Sequence, residues 1–108
     1  MHDVVEMIYE KCKKRDVLKA LPELCALAAL LMSFSEGTIR TRADMARRYV
    51  DELLASFNGA EKTSLKMTML KYVGLWMRDL RRRWGEYVVA EAAYAELLSR
   101  LIQLLRRA

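Results

Sequence analysis

Lys71, Arg78 and Arg82 are spaced by seven and four residues, so at 100° per residue they fall within about 40° of one another on one helical face. Ser64 shares that face, and Arg81 flanks it. A guanidinium presents a rigid fork of donors that matches phosphate oxygens, and a helical row of cations can follow a phosphate backbone. The charge is concentrated here. Residues Lys62 to Trp84 hold seven cations (Lys62, Lys66, Lys71, Arg78, Arg81, Arg82 and Arg83) against one acid, Asp79, in a chain whose net charge is +5. Such a local field points to a polyanion, and nucleic acid, RNA or DNA, is the commonest. The candidate contacts are Lys66, Lys71, Arg78, Arg81, Arg82 and Arg83. Tyr72, Trp76 and Trp84 lie nearby and can stack on unpaired bases, although Tyr72 and Trp76 also fall on the apolar stripe and are core residues first. A solvated face and an acidic protein partner fit the same cations.

A second basic set, Arg40, Arg42, Arg47 and Arg48, opens another helix. The turn Ser35-Glu36-Gly37-Thr38 separates it from the helix Pro22 to Phe34. A short glycine-containing turn before a basic helix start has the form of a DNA-reading helix-turn-helix, an alternative that any short helix–glycine–helix junction would also suggest.

Enzyme chemistry has little to work with. The one histidine, His2, is N-terminal, and there is no glycine-rich phosphate loop and no Ser/His/Asp or Cys/His set. Asp44, Asp51 and Glu52 have no companion ligands at a recognisable spacing, so neither a metal nor another cofactor is expected. Cys12 and Cys25 are not in a Cys-x-x-Cys pair and have apolar neighbours, which reads as buried free thiols in a reducing, cytoplasmic setting. No stretch resembles a signal peptide, and the longest apolar run, Leu24 to Met32, falls well short of the roughly 20 residues a bilayer requires, so no membrane association is expected. The chain has one Asn and one Gln, and Arg exceeds Lys. Scarce amides are a habit of thermophile proteins.

The elements that must position these groups are helices. The chain has 108 residues, one Pro, four Gly, 54% hydrophobic and 31% charged side chains, a balance suited to amphipathic helices in a single domain. The expected fold is all-α, a compact bundle of four to five helices. Asp3 caps a first helix with Val4, Val5, Ile8 and Cys12 on one face, and Lys11, Lys13, Lys14 and Arg15 at its end. Pro22 opens a second, apolar nearly all round and so the most buried. Thr41 and Asp44 read as a capping box for a third helix running to Phe57, with Ala46, Tyr49, Val50, Leu53, Leu54 and Phe57 inward. Asn58 and Gly59 stop it. A fourth helix starts near Thr63 with Leu65, Met69, Tyr72, Val73, Trp76 and Leu80 inward, and Met67, Met69 and Met77 fill core gaps.

Gly85 breaks or sharply bends this helix, or the helix continues unbroken to Arg107, since the apolar phase runs on through Leu80, Trp84, Tyr87, Tyr94, Leu98, Leu101 and Leu105. The last segment, Glu86 to Arg107, is apolar on more than one side, which suggests a homo-oligomer or docking on protein subunits of a larger complex. In size, charge and helicity the chain resembles the small subunits of RNA-guided CRISPR effector complexes, a likeness that transfers no residue roles. The sequence therefore reads as a non-enzymatic basic helical module binding nucleic acid mainly through phosphates, inside an oligomer or larger nucleoprotein complex. Its alternatives are a scaffold self-associating through the C-terminal helix and a helix-turn-helix regulator.

Overall fold

The computed structural model describes residues 3–35, 39–85 and 90–108, with the side chains of 3, 35, 39–41 and 90 excepted. Among them, six α-helices follow one another: α1 (Asp3–Lys11), α2 (Arg15–Ala20), α3 (Pro22–Met32), α4 (Ile39–Leu53), α5 (Gly59–Trp84) and α6 (Ala90–Arg107), with a 3-10 turn at Ser33–Ser35. The expected all-α class holds, with more and shorter helices than the four to five expected. The extra one is α2, which restarts the chain after the turn at Cys12 to Lys14.

α3 is the central rod. Every residue from Leu24 to Leu31 is buried, and α1, α4, α5 and α6 all pack against it. An apolar surface on all sides of one helix is stable only when neighbours cover it all round. Pro22 takes the first turn of α3, where its missing N–H costs nothing. Around α3 the amphipathic helices turn in Val5, Ile8 and Tyr9 of α1, Ala46, Val50 and Leu53 of α4, Met69, Val73, Met77 and Leu80 of α5, and Ala93, Leu97 and Leu101 of α6.

Cys12 and Cys25 are joined in a disulfide, not free thiols. The two Cα atoms stand 5.6 Å apart, inside the span a disulfide bridges, where α1 and α3 pack against each other. Both cysteines are fully buried. The inference of a reducing, cytoplasmic setting rested on free thiols and loses that support. No helix among the described residues is long and apolar enough to cross a membrane.

Several boundaries move. α4 begins at Ile39, which places Thr41 inside the helix and removes the capping-box role expected for Thr41 and Asp44. α4 ends at Leu53, a turn covers Leu54 to Ser56, and Phe57 remains buried. α5 then starts at Gly59, one turn before Thr63. Gly59 opens α5 with φ 60°, a conformation that costs glycine little, and it lies six residues beyond the end of α4. Arg15 of α2 locks this junction, donating to the Ser56 carbonyl at 3.0 Å and to Glu61 at 2.8 Å with its guanidinium 4.2 Å from the Phe57 ring centre.

At the other end, α5 closes at Gly85. Its φ is 71° and its N–H donates to the Arg81 carbonyl at 2.8 Å. Two helices thus replace one long helix bent at Gly85, and the phase of the seam changes. Ala93 and Leu97, expected off the seam, are buried, whereas Trp84 and Leu105, expected on it, are 42% and 38% exposed. Tyr87 lies outside the described residues. Met67, expected in the core, is 69% exposed.

Candidate nucleic-acid interface

α5 spans 26 residues, about 39 Å of helix at 1.5 Å per residue. Its inner face is held by Met69, Val73, Met77 and Leu80, which fixes the direction of the opposite face. Lys71, Arg78, Arg81 and Arg82 are exposed on that outer side. None of the four forms an ion pair within the described residues, in which every salt bridge involves other cations. From Lys71 to Arg82 the row covers about 16 Å along the axis, the length of about five nucleotides along one duplex strand.

The other two residues of the sequence-predicted cluster are engaged elsewhere. Lys66 Nζ holds Asp51 of α4 at 2.8 Å. Arg83 lies between Asp79, at 3.8 Å, and Glu96 of α6, with which it forms a short ion pair. Asp79, the single acid of the basic segment, is therefore turned toward Arg83 at the edge of the row. The cluster divides into four open cations and two that tie α5 to its neighbours. Sequence spacing places residues on a face of their own helix but does not reveal the acids that α4 and α6 bring to its edges.

Between the open cations the surface is lightly built. Met67 and Leu75 are exposed on the same side, and a Cβ at Gly74 would meet nothing within 4 Å. Gly74 was not singled out by the sequence reading; its signal is a mid-helix glycine, which costs about 1 kcal/mol relative to alanine, on a face with no internal packing partner.

The aromatics separate from this row. Tyr72 and Trp76 are half-buried against the core, and Arg100 of α6 lies 5.8 Å from the Trp76 ring centre. The groove beside them is lined by Glu23, Tyr72, Leu75, Trp76 and Asp79, and its two acids repel phosphate. Trp84 is 42% exposed at the end of α5, but it shares the helical phase of Met77 and Leu80 and so projects away from the row.

The second basic set is dispersed. Arg42 is 7% exposed. Its guanidinium lies 4.5 Å from the Phe34 ring centre and donates to the Phe34 carbonyl at 3.0 Å, while its Nε has no hydrogen-bond partner. Burial pulls its pKa below the ordinary guanidinium value. Arg47 and Arg48 are exposed. The Arg40 side chain and the turn residues 36–38 lie outside the described residues. Arg42 thus anchors the start of α4 to the end of the preceding turn instead of facing a duplex.

No group of three or more His, Cys, Asp or Glu side chains that could hold a metal is found among the described residues. No protein-family model, curated protein or solved structure matches the chain.

Proposed function

We propose that the chain is a non-enzymatic nucleic-acid-binding module that engages RNA or DNA phosphates through the outer face of α5. The observation that carries this reading is the row of Lys71, Arg78, Arg81 and Arg82, four exposed cations with no ion-pair partner among the described residues, beside acids that are already committed to Lys66 and Arg83. Contacts of this kind position a backbone without reading bases, so sequence selectivity is low.

The test is a fluorescence-anisotropy titration of single-stranded and duplex RNA and DNA with the wild-type chain and with Arg78→Ala plus Arg82→Ala. The double variant is expected to bind at least about tenfold more weakly at moderate salt. Equal binding by both proteins would remove α5 as the interface.

A further inference from the structure

The exposed side of α6 is a second feature that the core does not explain. α6 buries Ala93, Leu97 and Leu101. About a third of a turn round the helix lie Ala95, Leu98, Ile102 and Leu105, spaced by three, four and three residues, the seam of a two-helix coiled coil. Ala95, Ile102 and Leu105 are exposed and Leu98 is half-buried. Glu91 opens this face and Arg106 closes it; both are exposed, and neither forms an ion pair among the described residues.

We propose that this face pairs with the same face of a second copy of the chain, antiparallel, about a two-fold axis passing between Leu98 and Ser99. The order of side chains selects that occupant and that direction. The N-terminal half of the face is small, with Ala95, and begins with an acid. The C-terminal half is large, with Ile102 and Leu105, and ends with a base. Turned head to tail, Ala95 meets Ile102, and Glu91 of each copy meets Arg106 of the other. Small against large lets the backbones approach closely, and the two end pairs match in charge. A parallel pair would set Glu91 on Glu91 and Arg106 on Arg106, which charge opposes. The pairing covers Glu91 to Arg106, about 24 Å of helix. This inference stands apart from the reading of α5, since none of the four open cations belongs to the face.

Sedimentation equilibrium of the intact chain tests it, with circular dichroism to confirm that each variant stays helical. Wild type is expected at twice the chain mass, and Ile102→Asp at the monomer mass with unchanged helicity. Glu91→Arg alone, which sets like charges at both ends, is expected to weaken dimerisation by about tenfold, and Glu91→Arg plus Arg106→Glu to restore it. A parallel pair gives neither the loss nor the rescue, because each end would face its own copy. A monomeric wild type at tens of micromolar, a dimer indifferent to Ile102→Asp, or a Glu91→Arg dimer of unchanged affinity would each overturn the proposal. The first of these would leave the face to a different protein partner.

Discussion

Lys66 holds Asp51 at 2.8 Å across the contact of α4 with α5, and Lys71, little more than one helical turn further on, meets no acid at all. Two lysines of the same helix thus differ in kind, one paired across a helix contact and one unpaired among the described residues. Replacing Lys71 by Ala should weaken nucleic-acid binding and reduce its salt dependence by about one unit of slope, with stability unchanged. Replacing Lys66 by Ala should lower stability by at most about 1 kcal/mol, the worth of an exposed pair, and leave the slope as it was. Denaturant unfolding and binding titrations on the two variants check both halves.

Gly74 sits mid-helix on the open face with space where a side chain would be. Gly74→Ala should stabilise the fold by about 0.5–1 kcal/mol through helix propensity. If a backbone settles between Lys71 and Arg78, the added methyl should also reduce affinity. Chemical denaturation gives the first quantity and titration the second.

The Cys12–Cys25 bridge closes a loop of sequence separation 13, which in the chain-entropy account stabilises the fold by roughly 3 kcal/mol. Unfolding in the presence of a strong thiol reductant, or of Cys12→Ser plus Cys25→Ser, should show a loss of that order. Because α1 is attached to α3 at this point, hydrogen exchange in α1 should rise before exchange in α5.

Arg42 separates the α5 reading from a helix-turn-helix. Arg42→Met keeps an unbranched side chain over Phe34 and removes a buried charge whose Nε is unpaired. The Phe34 carbonyl loses its donor, so stability should fall by about 1 kcal/mol, and nucleic-acid affinity should not change. A fall in affinity comparable with that of Arg78→Ala would favour α4 as the contacting helix.

Tyr9 sets the alkaline limit. Its hydroxyl donates to the Tyr49 carbonyl at 2.8 Å, and burial, together with the charge of Glu52, raises its pKa far above the ordinary value of 10.0. A group raised in this way contributes stability that is fully present below pH 10 and is lost as pH climbs toward the folded-state value. Unfolding free energy should thus fall with pH above about 10, and Tyr9→Phe should flatten that fall at a cost of about 1 kcal/mol for the lost hydrogen bond.

Much of this architecture is legible in the residues. The all-round apolar run from Leu24 marks the central helix, and the spacing of Val50, Leu53, Val73 and Leu80 marks the faces that cover it. The disulfide is not legible, because joining Cys12 to Cys25 depends on how α1 and α3 pack against each other, and two isolated cysteines among apolar neighbours look the same free or joined. The phase of α6 is lost at Gly85, where a positive φ resets the helix direction and makes Leu97 a core residue and Leu105 a surface one. The outward row on α5 follows from periodicity, whereas its reduction to four open cations required Asp51, Asp79 and Glu96 to be placed in space.

The most direct test of the account is the slope of log K against log salt for the wild-type chain. Four phosphate contacts predict a slope of about −3.6 on duplex DNA and about −2.8 on a single strand, falling by about half when Arg78 and Arg82 become Ala. A flat slope, or no binding even at low salt, would contradict the assignment of α5 as a nucleic-acid interface.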